Sequence, residues 1–249
     1  MKILLISDSH SNVDALCAVE RQEKTWDAVW FLGDMLDYGF FPHETVEWMR
    51  KHNVQAVMGN HDHGLLEEID SGKPVVPAEQ ATRFAEHNRA LLTAEDIAWL
   101  RTLPDDLVLE ADGITYYLTH YYFESEEQRA REEFVEFRTS EVFERVWRET
   151  VGEPVRGQKR RILYGHTHQC TLLCVRESTM FVNPGSLSYR VGPDVEYCKG
   201  SDYMVIEDGE IYLRHVNYET DHLLKLAEQS SLTGFERHCA HVFYSPEVW

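Results

Sequence analysis

The segment MKILLISDSH, residues 1–10, starts with an apolar run rich in Ile and Leu and ends in residues whose side chains can bind metal. A short, continuous apolar run is typical of a strand that is buried on both faces. Apolar residues then recur at helical spacing over residues 12–24. The segment therefore predicts a buried strand followed by a helix, with Asp8 and His10 at the carboxyl end of the strand.

The same alternation of strand and helix continues up to residue 59. Residues 27–33 (DAVWFLG) and 54–59 (VQAVMG) are two further apolar runs, and a short helix is predicted between them over 43–52. Strands that alternate with helices are typical of a parallel sheet with right-handed crossovers. The first quarter of the chain is therefore predicted to be an α/β unit with three parallel strands.

The rest of the chain predicts helices and hairpins. Two helices are predicted within 79–103, the polar residues 123–151 are predicted to be helical, and residue 219 begins another helix. Asp112-Gly113 and Asp208-Gly209 are strong hairpin signals. Strands are predicted over 107–110, 114–119, 161–164, 171–176, 180–183, 203–207 and 210–216.

The net charge of the chain bears on which classes of molecule it can bind. The chain of 249 residues carries 24 basic and 43 acidic residues, a formal net charge of −19. An acidic surface repels a phosphate backbone at long range, so duplex DNA is not expected as a partner. The N-terminal apolar run stops at Ile6, and no stretch reaches the roughly 20 apolar residues of a membrane span. A cytoplasmic protein without membrane attachment is expected, and the oligomeric state stays open.

The five cysteines follow no regular pattern, so they do not indicate a disulfide framework. Cys170 and Cys174 come shortly after His166 and His168, but a zinc knuckle needs tighter spacing and a second pair of cysteines. Free cysteines are usually buried. Both residues are therefore predicted to be small core residues on a strand.

Polar clusters follow five of the predicted strands at the point where each strand ends. In open α/β sheets this edge is where ligands bind. The clusters are far apart in sequence, but this geometry brings them to one rim. They are Asp8-Ser9-His10, Gly33-Asp34, Gly59-Asn60-His61-Asp62, His120 and Gly165-His166-Thr167-His168.

The donor atoms in these clusters are typical of a transition-metal site. Carboxylate, imidazole and amide groups suit Mn, Zn, Fe or Ni, and one Asp can bridge two ions roughly 3.5–4 Å apart. Glycine before Asp34, Asn60 and His166 lets the backbone turn sharply and approach a bound ion or phosphate. Each residue alone has an ordinary explanation, as a helix cap, a turn or a buried histidine. Five such clusters at strand ends together favour a metal site.

These motifs, in this order, resemble those of the calcineurin-like metallophosphoesterase family. The family carries Asp-x-His, Gly-Asp, Gly-Asn-His-Asp, a lone His and Gly-His-x-His, and all five are present within about residues 1–217. The resemblance implies an α/β (α+β) fold, a four-layer α-β-β-α sandwich of two sheets. The domain is expected over 1–217, with a helical insertion or lid at about 121–158 and a C-terminal helix and tail over 218–249.

The resemblance also implies a role for each residue. One ion is expected to bind Asp8, His10, Asp34 and His168, and the other Asp34, Asn60, His120 and His166, so that Asp34 bridges the two. His61 is expected to act on the substrate as an acid or charge stabiliser, with Asp62 orienting it. The expected cofactors are two divalent transition-metal ions, Mn first, with Fe, Zn, Ni and Co as alternatives.

Shorter motifs resemble a compact bacterial branch of the family, which includes phosphodiesterases and hydrolases of dinucleoside polyphosphates. The chain departs from that branch after His120, where Tyr121, Tyr122 and Phe123 stand in place of glycine and small residues. A flat ring at the metal rim can stack on a nucleobase, so these three are expected to contact the organic part of the substrate. The motifs lie in residues 33–44, 100–104 and 183–187.

Two further expectations concern side chains near this rim. Arg190, shortly after the segment 183–187, can contact a phosphate oxygen, the alternative being an ordinary surface arginine. The aromatic residues of the segment 123–151 are expected to pack its helix onto the core. They are Phe134, Phe137, Phe143 and Trp147.

The expected function is hydrolysis of phosphodiester or phosphomonoester bonds by a metal-activated hydroxide. The substrate is expected to be a small phosphorylated molecule, such as a nucleotide or a dinucleoside polyphosphate. Two alternatives stay open. A nuclease would need a basic groove, which the acidic balance does not favour, and a metal-free scaffold for protein binding would lack ligands that are present here.

Overall fold

The chain folds around two mixed β-sheets. The computed structural model describes residues 1–74, 83–131, 133–190, 198–199, 201–230, 237, 240–241 and 243–244, with only the backbone of 83, 126, 130, 190, 198 and 199. The strands are β1 (Lys2–Ile6), β2 (Ala28–Phe31), β3 (Gln55–Ala56), β4 (Asp106–Ala111), β5 (Ile114–Thr119), β6 (Lys159–Leu163), β7 (Thr171–Arg176), β8 (Thr179–Asn183), β9 (Tyr189–Arg190), β10 (Cys198–Lys199), β11 (Asp202–Glu207) and β12 (Glu210–His215). The helices are α1 (Val13–Glu23), α2 (Pro42–Lys51), α3 (Asn60–Ser71), α4 (Arg83–Leu91), α5 (Ala94–Leu100), α6 (Glu126–Arg131), α7 (Ser140–Thr150) and α8 (Asp221–Gln229). None of these helices is both long and apolar enough to cross a membrane.

The first sheet contains the three parallel strands that the N-terminal sequence predicts. Its order is β12-β11-β1-β2-β3, and β11 and β12 run antiparallel to their neighbours. β3 is shorter than the predicted run 54–59, because the Met58 N–H donates to the carbonyl of Pro104 instead of to β2. The early exit turns the chain towards the loop that carries Asn60 and His61.

The second sheet has the order β4-β5-β6-β8-β7, with β5, β6 and β8 parallel and antiparallel strands at both edges. The predicted hairpins at Asp112-Gly113 and Asp208-Gly209 are both present. All four of these residues have positive φ angles, which is the conformation of the tight two-residue hairpin turn.

The two sheets pack face to face, and helices cover both outer faces. Ile3 and Leu5 of β1 point into the layer between the sheets, while Leu4 and Ile6 face the helices, which explains why β1 is apolar throughout. Trp30 and Tyr116 meet across the inner layer with ring centroids 4.9 Å apart. The predicted four-layer α-β-β-α sandwich is therefore confirmed.

Helix α7 covers the outer face of the second sheet. Phe143 and Trp147 are buried there against Phe181. The guanidinium of Arg160 on β6 lies 5.4 Å from the centroid of each of the two α7 rings, and it donates to both carboxylate oxygens of Glu144. The α7 part of the 121–158 insertion is thus a packed layer of the fold, and the predicted lid role concerns the residues before α7.

Of the residues after 217, those that the structure describes include several that pack in the cluster on the outer face of the first sheet. Leu223 and Ala227 of α8 belong to the same buried cluster as Leu4 and Ile6. Phe243 and Tyr244, close to the chain end, are buried in this cluster as well. The boundary between a domain over 1–217 and a tail over 218–249 stays a prediction.

The segment 123–151 is not one helix. Helix α6 ends at Arg131, residues 133–139 are non-helical, and α7 starts only after Thr139, whose hydroxyl accepts from the Val142 N–H. In this non-helical stretch the Val135 N–H donates to the Tyr122 carbonyl. It therefore ties the middle of the insertion back to the residues that follow His120.

The prediction that Cys170 and Cys174 are buried is wrong. Both are exposed. β7 is an edge strand, and its inward positions are Leu173 and Val175, which pack against the α7 cluster. Cys174 alternates with them and falls on the uncovered face.

We predict that Trp147→Ala lowers the free energy of unfolding by about 3–5 kcal/mol, because it leaves a cavity in a closed layer. Urea unfolding in the presence of a chelator measures the change without a contribution from bound metal. The matched control is Val155→Ala, at a side chain that is 69% exposed, with an expected change within about 0.5 kcal/mol. Equal effects of the two substitutions would mean that α7 is loosely attached.

Candidate metal centre

The carboxyl ends of strands from both sheets meet at one edge of the sandwich. β1 leads into Asp8 and His10, β2 into Asp34, and β3 into Asn60 at the start of α3. From the second sheet, β5 ends directly before His120, and β6 ends shortly before Gly165-His166-Thr167-His168. The clusters that are separate in sequence are therefore brought together in space.

The first candidate group is Asp8, His10, Asp34 and His168. One donor atom from each lies within 4.8 Å of the donor atoms of the others, and all four side chains are buried. Asp8 Oδ1 is 3.0 Å from His168 Nε2, and the Nε2 atoms of His10 and His168 are 3.3 Å apart. This spacing can hold a metal ion.

The second candidate group is Asp34, His120 and His166. Asp34 Oδ2 lies 3.0 Å from His120 Nε2. The amide oxygen of Asn60 lies 3.1 Å from the same nitrogen and 2.9 Å from His166 Nδ1, so it adds a fourth donor. Asp34 belongs to both groups, which is the arrangement of a bridging carboxylate.

Backbone carbonyls fix which ring nitrogen of three histidines carries the proton. A carbonyl oxygen only accepts, so the Nδ1 facing it must donate, and Nε2 of the neutral ring then presents a lone pair. His10 and His168 therefore direct lone pairs at each other, an arrangement that a cation between them stabilises. The pairs are His10 with Leu36 (3.0 Å), His120 with Leu32 (2.6 Å) and His168 with Tyr189 (2.8 Å).

The surroundings of Asp8 also fit a cation. Both of its carboxylate oxygens are buried and have no hydrogen-bond donor among the described residues. A buried carboxylate without donors is costly unless it is paired with a charge or coordinates a metal. A set of carboxylate, imidazole and amide donors suits a divalent transition-metal ion.

The backbone at these residues is strained. Residues other than glycine rarely adopt positive φ angles, and such outliers gather at functional sites. Five of the seven predicted ligands do so here, each in a loop that follows a strand. They are Asp8 (52°), His10 (45°), Asp34 (56°), His166 (68°) and His168 (55°).

Positions 59 and 33 require glycine, because neighbouring atoms of the metal site lie very close to both residues. A Cβ on Gly59 would lie 2.0 Å from Asp34 Oδ1. Gly33 has a φ of +89°, and its Cβ would lie 2.8 Å from both the Gly59 nitrogen and His120 Nδ1. Any side chain at either position would push apart the loops that carry Asp34 and Asn60.

His61 lies beside the first group and is held by Asp37. Its Nδ1 is 2.9 Å from Asp37 Oδ2, and its ring meets that of His10 edge-on, with centroids 4.9 Å apart. Burial lowers the pKa of His61, but the charge of Asp34 and the hydrogen bond that the ring donates to Asp37 outweigh burial and raise the pKa to about 9.

The prediction that Asp62 orients His61 needs correction. The hydrogen-bond partner of the His61 ring is Asp37, and the carboxylate of Asp62 faces backbone instead. It accepts from four N–H groups: Gly59 (3.0 Å), Asp34 (2.9 Å), Met35 (3.1 Å) and Leu36 (3.1 Å). Asp62 thus ties the start of α3 to the loop after β2. Burial and the charge of Asp34 raise its pKa to about 6.

The pKa values of the histidines bear on metal binding, which requires a neutral ring. Burial, assisted by His61, lowers the pKa of His10 to about 3, and burial with His120 lowers that of His166 to about 4. Burial also lowers the pKa of His120, but Asp34 outweighs it and raises the value to about 9. A proton and a cation therefore compete for Nε2 of His120.

The aromatic residues after His120 divide into two sets. Tyr121 lies 5.7 Å from the ring of His166 and 5.1 Å from that of Phe123. Tyr122 donates instead to Glu149 and packs against the α7 cluster. Of the three rings expected at the rim, Tyr121 and Phe123 therefore reach the His166 side and Tyr122 does not.

Phe134 corrects a further prediction. Phe137, Phe143 and Trp147 are buried in the core as expected, but the ring of Phe134 lies 4.0 Å from that of His166. Its position follows from the extended stretch between α6 and α7. The side chain of Arg190 lies outside the described residues, although its backbone pairs with Cys198 in β9 and β10.

Two residues at the site were not identified from sequence. Asp37 lies three positions after Asp34, and the second acid in that loop was the available signal. Tyr189 accepts the Nδ1 proton of His168 through its carbonyl and places its ring 4.1 Å from that histidine. No local pattern marks Tyr189, because its role depends on the approach of the loop after β8.

The chain is similar in sequence to known proteins over part of its length. An uncharacterised protein of Methanocaldococcus jannaschii is 44% identical over 66 residues, 26% of this chain and 27% of that protein. The symmetrical bis(5′-nucleosyl)-tetraphosphatase of Actinobacillus pleuropneumoniae is 29% identical over 126 residues, 48% of this chain and 44% of that enzyme. The matches thus span less than half the length of these curated relatives.

A solved structure and a family model extend the likeness to most of the chain. The crystal structure of a metallophosphoesterase from Sphaerobacter thermophilus has a TM-score of 0.67 at 22% identity, covering 97% of this chain and 99% of that one. A family model described as the calcineurin-like phosphoesterase superfamily domain matches residues 1–207. The chain belongs to the calcineurin-like phosphoesterase superfamily, as its five motifs predict.

Proposed function

We propose that the protein is a dinuclear metal-dependent phosphoesterase that hydrolyses small phosphorylated molecules. The observation that carries this proposal is the pair of buried donor groups that share Asp34. Asp8, His10 and His168 would hold one ion with Asp34, and Asn60, His120 and His166 would hold the other. The mixture of carboxylate, imidazole and amide donors supports Mn as the metal, with Fe, Zn, Ni and Co as alternatives.

Two divalent ions at these positions would supply Lewis-acid activation of water and neutralise the charge of a phosphate. The chain's own contribution is to hold the donors in place before the ions arrive. The Nδ1 bonds to carbonyls keep His10, His120 and His168 in the tautomer that offers Nε2. The His61 N–H donates to Asp34 Oδ1 and so fixes the carboxylate proposed as the bridge.

His61 is the proposed acid or charge stabiliser. Its ring lies beside His10, and Asp37 orients it through Nδ1, so that Nε2, which has no hydrogen bond to a described residue, can face a leaving oxygen. A proton on Nε2 can pass to the leaving group, or its charge can stabilise that group. Asp62 contributes indirectly, by fixing the loop that carries His61 and Asp34.

The proposed substrate class is a nucleotide or dinucleoside polyphosphate, cleaved as a phosphodiester or phosphomonoester. The similarity to a symmetrical bis(5′-nucleosyl)-tetraphosphatase over about half of the chain supports this class. The aromatic rings next to His166 support it as well, because a flat ring stacks on a base.

We predict that Asp34→Asn lowers metal content below two ions per chain and turnover of p-nitrophenyl phosphate by at least about 100-fold. The substitution removes a negative charge shared by both proposed ions and keeps the shape of the side chain. Elemental analysis and steady-state kinetics measure the two effects. Asp70→Asn, at an exposed carboxylate paired with Arg101, is the matched control and should change neither. Wild-type turnover by a folded Asp34→Asn variant would reject the bridge.

We predict that His61→Ala keeps both metal ions and loses about 10²–10⁴-fold in kcat, with the smallest loss for an aryl leaving group that needs little protonation. Asp37→Asn should lose less, because it acts through His61 and still offers an amide oxygen to Nδ1. The metal content of each variant is measured together with its rates. A fall in metal content as steep as the fall in rate would make His61 a ligand.

We predict that Asp62→Ala lowers the free energy of unfolding by at least about 3 kcal/mol, because four buried N–H groups lose their acceptor. Urea unfolding with a chelator present measures it, and Asp70→Ala on the same helix should change it by no more than about 0.5 kcal/mol. A variant as stable as that control but without turnover would assign Asp62 a direct catalytic role.

A further inference from the structure

A cavity of about 770 Å³ opens beside the second candidate metal group. Its wall includes His120 and His166, so it is continuous with the position proposed for one ion. Ligand pockets generally measure about 300–1,000 Å³, which leaves room here for more than a phosphate. The insertion forms one side of the cavity and the loop from Gly165 into β7 forms the other.

One wall of this cavity is aromatic. Phe134 packs against His166 with ring centroids 4.0 Å apart, and Tyr121 packs against Phe134 at 5.0 Å. On the other side, Phe137 and Tyr164 contact each other at 4.7 Å. Phe134 and Tyr121 are only partly buried and line the cavity. Phe123 stacks on Phe134 with ring centroids 4.9 Å apart and so supports it.

The loop from Gly165 into β7 contributes polar residues to the cavity. Thr167 and Gln169 are exposed and line the cavity. The backbone N–H and carbonyl of Gln169 are bonded to the hydroxyls of Thr167 and Thr171, which hold the loop. Its side-chain amide has no hydrogen bond to any described residue, and it offers both a donor and an acceptor.

We propose that this cavity binds a nucleobase of the substrate, stacked on Phe134 and read at its edge by Gln169, with the attached phosphate at the metal centre. The inference rests on the proposed function and names the substrate class of the same site. Phe134, which its sequence position assigned to the core, is then a specificity-determining residue. Tyr122, which points to Glu149, has no part in it.

The nature of the wall favours a base over an aliphatic or sugar group. A nucleobase has a flat face that stacks on aromatic rings and an edge with donors and acceptors that an amide can match. The contact of Phe134 with His166 sets the stacking surface directly beside a proposed metal ligand. A base in this cavity would therefore lie within a nucleotide's reach of the phosphate position.

The test compares two ligands that resist hydrolysis at their P–C–P bridge and differ in the nucleoside: α,β-methylene-ADP and methylenediphosphonate. Both are titrated calorimetrically into the Mn-loaded wild-type and Phe134→Ala proteins. We expect Phe134→Ala to weaken the binding of α,β-methylene-ADP about 5- to 100-fold, because the base loses its stacking ring. The affinity for methylenediphosphonate should change less than about twofold. Phe134→Trp should retain the nucleotide affinity.

Tyr212→Ala is the matched control, since this ring is 43% exposed on β12 of the first sheet, outside the cavity lining. It should change the affinity for neither ligand. Equal weakening of both ligands by Phe134→Ala, or no change for the nucleotide, would overturn the base site. Turnover of p-nitrophenyl phosphate or bis(p-nitrophenyl) phosphate by the wild-type protein is measured separately. Its absence would overturn the proposed function, whereas turnover without a nucleotide-specific effect would overturn only the base site.

Discussion

The structure depends on keeping electron-rich side chains close together in a buried place. The Nε2 lone pairs of His10 and His168 face each other at 3.3 Å, and neither buried carboxylate oxygen of Asp8 has a hydrogen-bond donor in the described part of the chain. Such an arrangement is unfavourable by itself and becomes favourable when positive charge lies between the donors. The rest of the fold resists the tendency of these groups to separate.

Two devices provide that resistance. The sandwich brings the carboxyl ends of parallel strands from both sheets to one edge, so the loops that carry the donors are anchored by the sheets. The carboxylate of Asp62 then binds four N–H groups in the loops that carry Asp34 and the start of α3. Positive φ angles at Asp8, His10 and Asp34 persist because these supports over-determine the backbone.

The insertion, residues 121–158, contributes side chains both to the buried core and to the edge of the metal site. Helix α7 completes the outer layer of the second sheet, where Arg160 joins Glu144 to two buried rings. Residues 133–139, immediately before it, carry Phe137 into the core and Phe134 to His166. The anchored helix α7 thus holds the ring of Phe134 in position beside His166.

The sequence by itself determined the family, the parallel strands, the hairpin turns and the set of strand-end residues, because apolar period, turn chemistry and motif spacing are local properties. It assigned Asp62 to His61, Phe134 to the core and Cys174 to a buried strand face. The tertiary structure decided these otherwise: Asp37 is the acid that reaches the His61 ring, the break between α6 and α7 turns Phe134 to the rim, and the edge position of β7 exposes Cys174. Each outcome depends on which distant segment packs against the residue, and no local pattern of residues carries that information.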